Sequence, residues 1–288
     1  MSEKILISGA TGNIGRYVVK YLSKVIPHHQ IIVANRSVDE LKAVFSSLPN
    51  LECRAFDFEN PVKGIFDGVK TVFLLRPPHI SDVSKVFAPL IKQMKHEGVL
   101  NVVFLSVQSA EKNSLIPHNK IEKILQASGM NYIFVRPGYF MQNLTTTLAN
   151  DIKNHNTIFL PSANAKFLWT DADNIGEVCA IFLFQFDKYS NRAFEITGSE
   201  LENFYTVSNL LTEILGRKIR FKSMNPVAFY FRKRREGVPA SFALVMVMLH
   251  FLPRFESAPA ISATYNQLTG KVPTTLRVFI NRERSKLL

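Results

Sequence analysis

Ile5-Leu6-Ile7-Ser8-Gly9-Ala10-Thr11-Gly12-Asn13-Ile14-Gly15-Arg16, residues 5–16, is the stretch that decides the fold. It opens as a short apolar run, the pattern of a buried strand, and the run stops at Gly9. From Arg16 to Leu22, the apolar residues Val18, Val19 and Leu22 recur at helical spacing. Three glycines lie between strand and helix. Gly9 permits a tight turn, Gly12 lets the backbone approach a phosphate, and Gly15 allows the helix to pack closely on the strand. The start of the helix then offers unpaired N–H groups and a partial positive charge to an anion. Strand, glycine turn and helix in this order predict a pyrophosphate site, with Gly9, Thr11, Gly12, Asn13, Ile14 and Gly15 as its residues.

Further along, strands and helices alternate. Strand patterns fall at Ile31–Ala34, Cys53–Phe56, Thr71–Leu75, Val102–Leu105 and Tyr132–Val135. Helical patterns fall at 81–95 and Lys120–Ala127, and Ser37-Val38-Asp39-Glu40 reads as a capping box. The α/β alternation continues through Phe167–Thr170, Asn174–Phe186, Ala193–Ile196, Tyr205–Leu215 and Lys218–Phe221. The reading is a Rossmann-type, doubly wound α/β fold: a parallel sheet of about seven strands with helices on both faces. A smaller, mostly helical C-terminal lobe begins near Val227. The expected division is a dinucleotide-binding domain over 1–155, then remaining sheet elements and a substrate lobe over 156–288.

The strand ends choose the dinucleotide. NAD sites place an acidic residue at the end of the second strand, to bond the ribose 2′-hydroxyl. Here that place holds Asn35-Arg36-Ser37, and the Arg36 guanidinium suits a 2′-phosphate. NADP(H) is therefore expected over NAD(H). Asp57, just past the third strand, is placed to accept from the adenine amino group. Leu75 and Arg76 after the fourth strand and Ser106 after the fifth are expected to border the cofactor.

Composition bounds the rest. The formal net charge is +12, and the segment from Arg217 onward, with 14 Lys/Arg against 3 Asp/Glu, carries nearly all of it. That segment suits a solvated face, an anionic ligand or an anionic membrane surface. Direct nucleic-acid binding is not expected, because no helix-turn-helix or aromatic-interleaved basic surface is recognisable. Ala240–Leu252 is strongly apolar but shorter than the roughly 20 residues a transmembrane helix needs. The basic run Arg232-Lys233-Arg234-Arg235 beside it leaves room for a peripheral membrane contact. Cys53 and Cys179 lie far apart without ligand spacing, so neither a disulfide framework nor a metal site is expected. The first residues leave no space for a signal peptide, and a cytoplasmic setting is expected.

The segments GATGNIG at 9–15, Arg36, and RPGYFMQN at 136–143 together resemble the NmrA-like branch of the atypical short-chain dehydrogenases/reductases. That group includes type-2 NAD(P)H:quinone oxidoreductases, isoflavone-reductase-like enzymes and redox-sensing regulators. His118-Asn119-Lys120-Ile121-Glu122-Lys123-Ile124-Leu125-Gln126-Ala127-Ser128-Gly129 is most similar to the quinone oxidoreductases. The resemblance implies a seven-stranded sheet carrying cofactor on its C-terminal strand ends, and a substrate cleft beside the C-terminal lobe. It also implies acceptor-lining roles for Tyr139, Phe140 and Asn143.

One departure matters. Classical members carry Tyr-x-x-x-Lys, with the Tyr as general acid, and isoflavone-reductase-like enzymes keep a lysine near position 118, whereas the matching stretch here is Ser114 to His118. His118 is the candidate catalytic residue, either as proton donor or holding the nicotinamide ribose. Hydride transfer to a quinone or similar flat small-molecule acceptor tolerates the loss, since the reduced product is a stabilised anion. No metal or flavin is called for. The alternative is a non-catalytic redox sensor acting through a protein partner, and either form is compatible with a homodimer.

Overall fold

The computed structural model describes residues 3–80, 82–114 and 116–288. Seven strands pair in parallel: β1 (Lys4–Ser8), β2 (Ile31–Asn35), β3 (Glu52–Ala55), β4 (Val69–Leu75), β5 (Asn101–Leu105), β6 (Asn131–Pro137) and β7 (Arg192–Ile196). Their order across the sheet is β3-β2-β1-β4-β5-β6-β7, and helix α2 (Val38–Val44) packs on β2 and β3. β1 is hydrogen-bonded on both sides, with Ile7 opposite Val33 of β2 and Phe73 of β4. A central strand whose two faces are both covered by helices has no polar face, which is why Ile5-Leu6-Ile7 reads as a continuous apolar run.

Successive residues point to opposite faces of the sheet. On one face, Leu6, Val72, Leu74, Val102 and Phe104 join Phe87, Leu90 and Met94 of helix α3 (Val83–His96) and Ile121 and Leu125 of α4 (Pro117–Ser128). Ser81, where the sequence pattern begins this helix, lies outside the described residues; Asp82 caps it, its carboxylate accepting from the Lys85 N–H at 3.1 Å. α4 ends at Gly129 in the left-handed conformation, the stop that Ser128-Gly129 predicts. The other face is covered by α1 (Gly15–Leu22) and α5 (Ala172–Phe184), which pack against each other. Their contact depends on Gly176: a Cβ there would lie 2.3 Å from the Tyr17 Cβ and 2.8 Å from its carbonyl carbon. Lys20 and Tyr21 close the contact on Asp173, at 2.8 and 3.2 Å.

The chain does not divide at a single point near 155. One compact unit runs up to Pro137 and takes back Ala172–Ile196 and Gln267–Gly270; the other holds Gly138–Asp171, Thr197–Asn266 and Lys271–Leu288. The reason is topological, since the last strand of the sheet needs a crossover helix, and both come after an excursion of the chain. The second unit is mostly helical: α6 (Phe204–Leu215), α7 (Pro226–Arg235), α8 (Ala240–Phe251) and α9 (Leu276–Arg282). It also holds a three-stranded sheet, with Phe167–Thr170 between Tyr139–Phe140 and Leu201–Glu202, and a parallel pair of Thr157–Leu160 with Arg220–Ser223. Trp169, Phe204, Leu211, Phe229 and Phe279 are wholly buried in its own core.

Gly176→Ala should cost about 1–3 kcal/mol, because the colliding atoms are backbone and a Cβ that cannot swing away. The midpoint of urea unfolding measures it; an unchanged midpoint would show that the α1–α5 contact gives way freely.

Candidate functional site

The glycine turn is built as its spacing requires. Gly9 has a φ of +59°, and a Cβ there would meet a Leu75 methyl at 2.7 Å. A Cβ on Gly15 would lie 2.3 Å from the Gly9 carbonyl oxygen and 2.8 Å from the Ala10 Cα, so only glycine lets α1 start against the end of β1. The Gly12 N–H donates to the Gly9 carbonyl at 2.9 Å. Ile14 is buried and serves the site only through its backbone, while Gly12 and Asn13 are exposed at the helix entrance. At the start of α1 the Arg16 N–H donates to the Gly12 carbonyl at 3.3 Å, and those of Tyr17 and Val18 to the Ile14 carbonyl at 2.9 and 3.1 Å, so what the helix entrance offers an anion is the positive end of its dipole and the N–H groups of the turn ahead of Arg16.

Two side chains hold the turn in shape. Asn35, the last residue of β2, donates from its side-chain amide to the Thr11 hydroxyl at 2.6 Å, and its side-chain oxygen Oδ1 accepts from the Arg36 N–H at 2.8 Å. Arg16 donates to the Thr11 and Gly12 carbonyls at 2.9 and 3.2 Å, adding a positive charge beside the helix entrance. Arg16 was not among the expected site residues; a base directly after the third glycine was the available signal. Arg36 is exposed, and among the described residues its guanidinium has no hydrogen-bond or ion-pair partner. The capping box closes one way: the Ser37 hydroxyl accepts from the Glu40 N–H at 3.2 Å, while the Glu40 carboxylate accepts from Asn35 at 3.4 Å. Asp57 lies two residues beyond Ala55, the register partner of Asn35, and its carboxylate accepts from the Glu59 N–H at 3.0 Å.

Leu75 and Arg76 follow β4 directly. Arg76 donates to the Ile80 carbonyl at 2.6 Å and to those of Pro77 and Pro78 at 3.3 Å, through one nitrogen. Its Nε is buried and has no partner among the described residues. Burial lowers the guanidinium below its ordinary pKa. His118, the second residue of α4, is half-buried with its ring 6.1 Å from that of Phe104. Burial first, and then the Arg76 charge, hold it down to about 3, so at neutral pH it is an uncharged imidazole. Lys120 is exposed.

Ser106 is buried, and its hydroxyl donates to Glu122 at 2.5 Å. Glu122 also takes two bonds from Arg136, at 3.0 and 2.7 Å, and Arg136 reaches Glu111 at 2.6 Å. Glu195, at the end of β7, accepts from the Ser109 N–H at 3.0 Å, and burial pushes its carboxyl up. This ionic cluster went unread in the sequence. Glu122, four residues past His118 and thus on the same helical side, was its trace.

In the second unit, Tyr139 lies in the aromatic core, with its ring 4.8 Å from Trp169 and 5.0 Å from Phe167. Its hydroxyl pairs with the His250 Nε2 at 2.9 Å, and the other His250 nitrogen with the Met246 carbonyl at 2.6 Å. Burial raises the Tyr139 phenol and holds His250 down to about 4. Phe140 and Asn143 keep part of their surface.

His118 and His250 both resist in the folded state a proton that the unfolded chain accepts near 6.5. Their contribution to stability is complete above that value and is lost as the pH falls through it toward 4. Urea midpoints should therefore fall between about pH 7 and pH 5, and His118→Asn should flatten part of the slope. A slope unchanged in the variant would mean that His118 is charged in the folded protein.

The chain is 28% identical over 277 residues to prestalk A differentiation protein A of Dictyostelium discoideum, covering 96% of this chain and 90% of that one. It is 27% identical to an NAD(P)H azoreductase of Xenophilus azovorans, over 96% of each. Among solved structures, an NADPH-dependent quinone oxidoreductase of Escherichia coli, complexed with NADPH, superimposes with a TM-score of 0.83 at 20% identity, over 96% of this chain and 99% of that one. Residues 1–276 match the model of the NmrA-like family, and the chain belongs to that family.

Proposed function

We propose that the protein is an NADPH-dependent reductase that passes hydride directly to a quinone or a similarly flat, electron-poor acceptor. The observation that carries the cofactor choice is Arg36, exposed and unpartnered beside the glycine turn, where an NAD site would hold an acid. The Gly9–Gly15 turn and the entrance of α1 fit the pyrophosphate, and Arg16 adds charge there. When bound, the nicotinamide supplies the hydride. The azoreductase relative and the quinone oxidoreductase of like fold support this choice of chemistry.

The residues near the nicotinamide end favour an acceptor that needs no strong acid. At neutral pH, His118 can donate or accept a hydrogen bond, but it holds no imidazolium proton to give. Its part is to orient the acceptor oxygen or the ribose, and water protonates the released hydroquinone anion. Arg76 brings a positive charge beside it with one N–H uncommitted, a charge suited to the negative oxygen formed as hydride arrives. Ser106 is turned toward Glu122, so it lines the site by shape rather than by its hydroxyl. Of the three residues expected to line an acceptor, Phe140 and Asn143 keep accessible surface, whereas Tyr139 is committed to the core of the second unit.

The absence of a tyrosine acid and the neutral His118 also favour a second reading, a dinucleotide sensor that binds cofactor and signals through a partner. Turnover separates the two. The protein should oxidise NADPH with benzoquinone or naphthoquinone faster than NADH, and Arg36→Glu should weaken NADPH binding by about tenfold or more while sparing NADH. Equal loss for both cofactors would remove Arg36 from the 2′-phosphate. Tight NADPH binding without turnover on any quinone would leave the sensor.

A further inference from the structure

Helices α7 and α8 follow each other in the second unit and pack together. α8 is apolar around its whole circumference. Ala243, Met246 and His250 form its buried side, while Leu244, Val245, Met248 and Leu249, with Leu252 directly after the helix, lie on the other, between 36% and 52% exposed. Phe255, just beyond, is 72% exposed. α7 carries a shorter stripe of the same kind, Val227 and Phe231, four residues apart and outward-facing. A monomer surface rarely leaves so many large aliphatic side chains together without a partner for them.

The charges along this stretch are predominantly positive. Within the run 232–235, Arg232 is held by Asp151 and Glu236, and Lys233 is buried on Glu236, so half of that run is structural. Arg234 and Arg235 are exposed at the end of α7, with one Arg234 nitrogen on the Val238 carbonyl. Arg254 is exposed just after α8, with its guanidinium 5.1 Å from the Phe251 ring and 5.8 Å from that of Phe255. The acids on this stretch are Glu236, which is already paired, and exposed Glu256. No helix among the described residues is long and apolar enough to cross a membrane.

We propose that this surface docks on an anionic lipid bilayer. The outer side chains of α8 enter the headgroup and acyl boundary with the helix lying in the membrane plane, and Arg234, Arg235 and Arg254 meet lipid phosphates. A second copy of the chain fits less well, because a two-fold contact through this face would bring the same arginines together. The inference is independent of the hydride chemistry.

Sedimentation of the full chain with vesicles tests it. The protein should pellet with phosphatidylcholine–phosphatidylglycerol vesicles, less with phosphatidylcholine alone, and less again as salt rises. Met248→Glu with Leu249→Glu should weaken binding by about tenfold or more, with the unfolding midpoint unchanged. Arg234→Glu with Arg235→Glu should weaken it similarly on the anionic vesicles only, a check that leaves the helix face intact. The proposal is overturned if the wild-type chain stays in the supernatant with anionic vesicles at low salt, or if both variants bind like the wild type. It is equally overturned if light scattering finds a dimer that the glutamate pair splits, since the face would then join two copies.

Discussion

The contact on which the site depends is the approach of α1 to the end of β1, backbone against backbone. With 2.3 Å between a built Gly15 Cβ and the Gly9 oxygen, any side chain would push the helix start away from the strand. Because the contact is closed, α1 starts directly at the end of β1, the strand next to which the strand order reverses, between β1 and β4. Everything else at the turn serves this geometry. Asn35 ties the end of β2 to Thr11, Arg16 ties α1 back to the turn's carbonyls, and the Leu75 methyl fills the space that a Gly9 side chain would need. Arg36 is thereby held next to the turn through its own backbone, with its guanidinium left to the solvent.

A second constraint is electrostatic. Glu122 is buried at the heart of α4, and removing such a charge from water is costly unless it is paired and hydrogen-bonded. Three donors meet it, two from Arg136 and one from Ser106, which joins the ends of β5 and β6 to the helix. His118 lies one turn earlier on that helix with no carboxylate to hold it protonated; Arg76 is its charged neighbour. One end of α4 thus carries a neutral imidazole beside a cation, while its middle carries a neutralised anion. The order is the reverse of a general-acid site, in which a carboxylate would raise the histidine.

The sheet was legible in the sequence because its central strands are apolar on both faces and bounded by turn residues, and Phe167–Thr170 of the second unit's small sheet, buried along its whole length, was read to its ends for the same reason. The glycine turn was legible because each glycine answers a separate steric demand. What escaped is of another kind. Tyr139–Phe140 and Leu201–Glu202 are too short for a period of two to show, and they exist only as pairings with Phe167–Thr170. The interleaving of the two units is a matter of long-range topology, which local patterns do not carry. The burial of Tyr139 beside His250 was hidden for a related reason: an aromatic in a recognisable motif reads the same whether its ring lines a cleft or fills a core.

The same distinction bears on the chemistry. A tyrosine or lysine acid is needed when hydride leaves behind a strongly basic alkoxide, as on an isolated carbonyl. It is dispensable when the product anion is delocalised over a ring, and then a fixed positive charge and a well-placed neutral hydrogen bond suffice. In the proposed reaction Arg76 and His118 would be that combination: one is a cation, the other is kept neutral by burial and by the first. The pair would favour release of an anion and would do little for a carbonyl that must take up a proton in the same step. In the proposed reaction, the departure from the classical tyrosine dyad would follow from the pKa of the acceptor's reduced form.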